Sequence, residues 1–152
     1  KRQSLRCLET GAPYVSFTNF DAPDRGSCVV RRPRTNTPLQ ALTLLNDQAY
    51  VEMTMAFAER LIKHNSVNTE ERINFAYLTA LSRNPQPAEI RFLIPMIQRQ
   101  LIRFEKNPKT ANELIKGIEG WKPSEKTKIS ELAAWFYIAN VLLNLDETIT
   151  KN

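Results

Sequence analysis

The stretch "ELAAWFYIANVLLNL", residues 131–145, constrains the fold most, because it is apolar on nearly every side. Only Asn140 and Asn144 interrupt it after Glu131. The apolar run is shorter than the roughly 20 residues that a helix needs to cross a bilayer. A helix without a polar face must be covered by other elements. We therefore predict a buried helix, beginning near Ser130, at the centre of a helical bundle.

Helical periodicity continues through most of residues 38–145 and predicts an all-α fold with about five or six helices. An irregular N-terminal arm, residues 1–37, is expected to pack on a helical body, residues 38–152. We expect a single domain that is a fragment of a longer chain. Before the central helix, the predicted helices are a short one from Pro38 and others over residues 48–63, 70–83, from Pro87 onward and 108–118.

The body begins at "RTNTPLQALTLLND", residues 34–47. Thr37 is a good N-cap, and Pro38 suits the first helical position because its missing N–H has no partner there. The residues Leu39, Leu42 and Leu45 form one short apolar stripe. The pair Asn46-Asp47 can end this helix and cap the next one.

The arm is rich in proline and turn-forming residues. "PYVSFTNF", residues 13–20, has weak extended character, and "FDAPDR", residues 20–25, is typical of a turn. We hypothesise that this turn folds back on the start of the first body helix. In that arrangement an aspartate, Asp21 or Asp24, pairs with Arg32 or Arg34, while Phe17 and Phe20 pack on the body.

Positive charge is concentrated in the arm. Residues 1–38 hold seven basic and three acidic side chains, whereas the rest of the chain is nearly balanced with fourteen and thirteen. Arg31, Arg32 and Arg34 could contact phosphates, but a nucleic-acid protein more often repeats basic residues along a helix face. We favour internal ion pairing for these arginines, with no nucleic-acid partner.

Residues that carry chemistry are sparse. The lone histidine, His64, has no second histidine with which to share acid–base work, and no phosphate-binding, haem-attachment or zinc-protease motif is present. Carboxylates that could bind a hard cation are Asp21 with Asp24, Asp47 alone, and Asp146 with Glu147, but capping and turn formation are the favoured interpretation. Cys7 and Cys28 fit a disulfide in an exported chain and fit two thiols equally well. We predict no catalytic residue, no metal and no cofactor in this chain.

Four stretches carry a family resemblance: "FDAPDR", "RTNTPLQAL", "LLND" and "LLNLDET". Together they resemble the C-terminal domain of large exported proteins of unknown function that are abundant in planctomycetes. The resemblance implies a periplasmic or extracellular parent that often carries a cytochrome-c-like module upstream. It suggests a link to carbohydrate or redox metabolism and supplies no catalytic residues.

The candidate interaction surface is a polar cluster around the join of arm and body: Asp21, Asp24, Arg25, Arg32, Arg34, Asn36, Asn46 and Asp47. The favoured function is that of a noncatalytic module that stabilises or docks on upstream domains of the same parent chain, with no membrane span. The alternative is an active site shared with an upstream domain, completed by Asp21, Asp24, Arg32 and Asp47. The oligomeric state stays open.

Overall fold

The computed structural model describes residues 15–22, 35–64, 68–118, 121–124 and 127–150. Several residues of the predictions above lie outside these ranges: Cys7, Asp24, Arg25, Cys28, Arg31, Arg32 and Arg34. The predicted pairing of Asp21 or Asp24 with Arg32 or Arg34 therefore stays a prediction. Within the described ranges the fold is all-α and holds no strand, which confirms the predicted class.

The helices follow one another along the body with short connections. They are α1 (Val15–Asn19), α2 (Pro38–Asn46), α3 (Gln48–Lys63), α4 (Thr69–Leu81), α5 (Pro87–Lys106), α6 (Pro108–Lys116), α7 (Ile129–Leu143) and α8 (Asp146–Ile149). The predicted helices from Pro38 onward are all present, with ends displaced by a few residues at most. The one-turn helix α8 was not predicted.

The predicted central helix is confirmed. α7 packs against α3, α4, α5 and α6, and most of its side chains between Leu132 and Leu142 are buried, although Tyr137 is partly exposed. Its buried residues are Leu132, Ala133, Ala134, Trp135, Phe136, Ile138, Ala139 and Leu142. Small alanines on this helix let neighbouring helices approach closely, while Trp135 fills the space between them. No helix in the described ranges is both long enough and apolar enough to cross a membrane.

The helix ends follow the local chemistry that the sequence indicated. Thr37 caps α2 through its side chain, which accepts a hydrogen bond from the Gln40 N–H. Asp47 ends α2 and caps α3, and its Oδ1 accepts from the Ala49 N–H at 2.9 Å. α4 ends at Ser82 in the left-handed region, with φ 59°. These caps satisfy N–H and C=O groups that would otherwise lack partners at the helix ends.

One expectation about local structure is wrong, and the exposure of several apolar side chains was not predicted. The expected extended character of residues 13–20 is wrong for Val15–Asn19, which form α1, because contacts with α2 outweigh weak local preference. The Leu39, Leu42 and Leu45 stripe lies on the outer surface, each side chain about half exposed. Met53 of α3 is also exposed, while Met55, Ala58 and Leu61 of that helix are buried.

Candidate functional site

The side chain of Gln40 joins the N-terminal arm to the helical body. Gln40 is 1% exposed. Its Oε1 accepts a hydrogen bond from the Thr37 N–H at 2.9 Å, which completes a capping box at the start of α2. Its Nε2 donates to the backbone oxygen of Asn19 at 2.8 Å and to Thr35 Oγ1 at 2.9 Å. One amide therefore satisfies polar groups at three places: the end of α1, Thr35 just before α2, and the N-cap of α2.

The same hydrogen-bond network continues on both sides of Gln40. Thr35 Oγ1 donates to the Asp21 carboxylate, and Asn19 Nδ2 donates to Thr43 Oγ1 at 2.9 Å. We call these five residues, Asn19, Asp21, Thr35, Gln40 and Thr43, the arm junction. Asp21 adopts a positive φ of 53°, which aspartate tolerates better than most residues. The junction holds α1 against α2 mainly through hydrogen bonds.

Apolar contact adds to the junction. The rings of Phe20 and Tyr50 lie 5.8 Å apart between centroids, tilted by 52°. This geometry is typical of a favourable aromatic pair. Phe20 thus packs on the body, whereas Phe17 is exposed. The turn at Phe20–Asp21 is therefore fixed from two sides.

Asn36 connects the start of α2 to the C-terminal end of the described chain. Its Nδ2 donates to the carboxylate of Asp146, the first residue of α8. α8 is tied to α7 in turn, because Thr148 Oγ1 donates to the backbone oxygen of Leu142 at 2.6 Å. The residues Asn36 and Asp146, which are 110 positions apart in the sequence, thereby meet at the surface.

A second polar cluster lies beside α8 and consists of Tyr77, Arg83, Glu89 and Glu147, which we call the Arg83 cluster. The Arg83 guanidinium donates to both Glu89 oxygens at 2.8–2.9 Å and to both Glu147 oxygens at 2.7–3.0 Å. It also lies over the Tyr77 ring, 5.2 Å from the centroid. Two bidentate pairs on one guanidinium fix α8 to the loop between α4 and α5.

The charges of this cluster shift one another's protonation. Hydrogen bonds from Arg83 lower the pKa of Glu89, although partial burial opposes them, and the Gln86 N–H adds to the lowering. The two carboxylates raise the pKa of Arg83 in return. Burial, with the negative charge of Glu89 next in size, raises the pKa of Tyr77. These three shifts favour an ionised Glu89, a charged Arg83 and a neutral Tyr77 near neutral pH, which suits a structural ion pair.

Two other predicted polar residues have local roles. Asn46 Nδ2 donates to the backbone oxygen of Leu42 at 2.8 Å, one turn back on α2. Asp47 is the N-cap of α3. The described members of the predicted cluster therefore lie at separate points of the chain: Asp21 after α1, Asn36 before α2, Asn46 at the end of α2 and Asp47 at the start of α3. The described ranges hold no group of three or more histidine, cysteine, aspartate or glutamate side chains that could bind a metal ion.

The outer side of α2 presents apolar surface. Leu39, Leu42 and Leu45 recur every three residues and so lie on one side of the helix, away from Gln40. We call them the leucine stripe. An isolated exposed leucine is ordinary, but three in a row on one helix face are typical of a contact surface. This helix therefore has a polar side that is satisfied internally and an apolar side that is exposed.

Sequence reasoning missed the residues that organise these sites. The spacing of Thr37 and Gln40 fits a capping box, so part of the role of Gln40 was readable from the sequence. Its bonds to α1 were not, because they join residues 21 positions apart. Arg83 and Glu147 are 64 positions apart and carry no local signal for their pairing.

The fold and these clusters define a class: an all-α module whose polar residues tie its own segments together. Residues 1–97 match the model of the family described as PSD1, a protein of unknown function, DUF1553. The chain belongs to this family, and the match includes the whole arm junction. The resemblance to a domain of unknown function is thereby confirmed, while "LLNLDET" lies beyond the matched residues. No curated protein and no solved structure matches the chain.

Proposed function

We propose that this chain is a noncatalytic helical docking module within a large exported protein. The leucine stripe is its contact surface for an upstream domain of the same parent chain. The single observation that carries the proposal is the exposure of Leu39, Leu42 and Leu45 on one face of α2. The periplasmic or extracellular location and the upstream cytochrome-c-like module rest on the family resemblance.

The energetics of the stripe support a contact of moderate strength. Full burial of a leucine contributes about 1.5–3 kcal/mol, so covering three half-exposed leucines contributes roughly 2–4 kcal/mol. Such a contribution is too small to hold two free proteins together against the loss of their independent motion. It is sufficient to orient two domains that a covalent linker already keeps at high effective concentration.

The internal pairing of the polar residues favours docking over a shared active site. Asp21 accepts from Thr35, and Asp47 caps α3. Both of these members of the alternative site therefore take part in holding the fold. A residue that acts in catalysis needs its reactive atom directed to a place where substrate can bind.

Site-specific photocrosslinking in the full-length parent tests the proposal. We expect Leu42→p-benzoylphenylalanine to crosslink to a peptide upstream of this module. Leu78→p-benzoylphenylalanine on α4 is the matched control, since Leu78 is also about half exposed and lies on a different helix. Equal yields at both positions, or no crosslink from position 42, would contradict the proposal.

A further inference from the structure

The outer face of α5 combines basic side chains with large apolar ones. α5 is about 30 Å long at 1.5 Å per residue, and it packs on α7 through Leu93, Ile97 and Phe104. Successive residues of a helix are rotated by about 100° around its axis. On this basis, one sector on the outer side of α5 carries four basic and two large apolar residues. They are Arg91, Phe92, Arg99, Ile102, Arg103 and Lys106, all exposed, and we call them the α5 basic face.

The charge of the α5 basic face is not neutralised by ion pairs. The described salt bridges use Lys63, Arg72 and Arg83, none of which belongs to this face. Arg91 makes only a long hydrogen bond of 3.4 Å to the Pro87 oxygen, and Arg103 lies 5.6 Å from the Phe104 ring centroid. Glu105, the exposed acid of the helix, falls at the edge of the sector. Four positive charges therefore act together toward one side.

Two large apolar side chains lie among these charges. Phe92 is 65% exposed and Ile102 is 51% exposed. They are ten residues apart on the helix, which places them about 15 Å from each other along its axis. A single exposed apolar residue is ordinary, but these two lie within the same basic sector of one helix. Exposed phenylalanine and isoleucine flanked by arginines indicate a surface that meets both negative charge and apolar material.

We propose that the α5 basic face binds the surface of an anionic phospholipid bilayer. The arginine guanidiniums would pair with headgroup phosphates, whose geometry their donors match. Phe92 and Ile102 would enter the boundary between headgroups and acyl chains, as the apolar residues of interfacial helices do. The binding is peripheral, along a helix that lies parallel to the membrane plane.

The bilayer fits the face better than other polyanions do. A nucleic acid supplies phosphates but offers no apolar layer for two side chains 15 Å apart. An acidic protein would need carboxylates and pockets in matching register. A bilayer surface supplies phosphate and apolar groups everywhere, so an extended helix face can use all of its side chains at once.

Cosedimentation of the purified chain with lipid vesicles tests this proposal. We expect binding to vesicles of phosphatidylcholine and phosphatidylglycerol in equal amounts at low salt, and little binding to phosphatidylcholine alone. Each basic residue near such a surface contributes about a fivefold increase in partitioning. The double variant Arg99→Gln, Arg103→Gln should therefore bind the mixed vesicles roughly 25-fold more weakly.

A matched control separates the effect of the α5 basic face on vesicle binding from the effect of the protein's net charge. The variant Lys116→Gln, Lys122→Gln removes two exposed positive charges elsewhere, on and after α6. It should lose much less binding than the arginine variant. Equal losses in the two double variants would overturn the proposal, because they would show attraction by total charge alone. Circular dichroism of each variant confirms that its helices are intact.

A fluorescent reporter distinguishes the bilayer from another polyanion. In the variant Phe92→Trp, the added emission relative to wild type should be quenched by brominated lipids in mixed vesicles. Binding of duplex DNA at the same salt serves as the comparison. Tight DNA binding without vesicle binding, or vesicle binding without quenching at position 92, would overturn the proposal. These outcomes are independent of the leucine stripe, so the docking proposal can fail or hold separately.

Discussion

Replacing Gln40 with alanine is expected to destabilise the protein by about 3 kcal/mol. The side chain is buried and makes three hydrogen bonds, to the Thr37 N–H, the Asn19 oxygen and Thr35 Oγ1. Each such bond contributes about 1 kcal/mol net, and its loss leaves a poorly hydrated partner behind. Alanine restores none of the three bonds.

Denaturation of the isolated chain measures this effect. For a protein of this size, a loss of 3 kcal/mol corresponds to a decrease of about 6–12 °C in Tm. The control is Gln98→Ala on α5, where the glutamine is exposed and the change should alter the free energy of unfolding by less than about 0.5 kcal/mol. A loss below about 1 kcal/mol at position 40 would refute the assigned role of the amide.

A variant that keeps the shape of the side chain makes the test sharper. Gln40→Glu retains an acceptor for the Thr37 N–H but, when ionised, cannot donate to the Asn19 oxygen. Burial without a cation should raise the pKa of the new carboxyl above its ordinary value of about 4.3. The variant should therefore come closest to wild-type stability below pH ~4.3 and lose stability as the pH rises through the folded-state pKa. A difference from wild type that does not change with pH would contradict this account.

Three further predictions concern other parts of the fold. Because Arg83 lowers the pKa of Glu89, the stability that this carboxylate contributes is present above its ordinary pKa and is lost as the pH falls through the lower folded-state value. Glu89→Gln should cost about 1–2 kcal/mol near neutral pH and flatten the acid limb of a stability–pH curve, and an unchanged limb would argue against it. Ser82→Gly should stabilise the protein by up to about 1 kcal/mol in urea denaturation, because glycine adopts the positive φ at the end of α4 without strain; a destabilised variant would contradict this. Leu142→Ala should lower the free energy of unfolding by about 3 kcal/mol, because it leaves a cavity in the hydrophobic core around α7. Leu78→Ala, at an exposed site, should lower the free energy of unfolding by less than about 1 kcal/mol.

The net charge of a segment does not show how its charges are distributed on the folded surface. Residues 39–152 are nearly neutral in total, which argued against a basic surface in the body. The acidic members of that total include Glu59, Glu89, Glu131 and Glu147, which pair internally with basic side chains. The unpaired cations of α5 are thereby left together on one face. Segregation of this kind depends on which side of each helix is buried.

The sequence by itself determined the class of fold and the position of its central helix. An apolar run such as residues 131–145 has no face that water would solvate, so other helices must surround it whatever their order. The caps at Thr37 and Asp47 were also readable, because a cap depends on residues within one turn of each other. A cap forms between residues that are close in the sequence, and the hydrophobic effect has no directional requirement. Both features can therefore be predicted without the tertiary structure.

Only the tertiary structure decided which face of α2 is inside. From the pattern alone, Leu39, Leu42 and Leu45 could have been its core side. The structure instead turns Gln40 inward, because α1 supplies a backbone oxygen for its amide, and leaves the leucines outside. The pairing of Arg83 with Glu147 was likewise decided by packing, which brings α8 back to the end of α4. Directional hydrogen bonds between distant segments form only where packing aligns both partners, and no local pattern records that alignment.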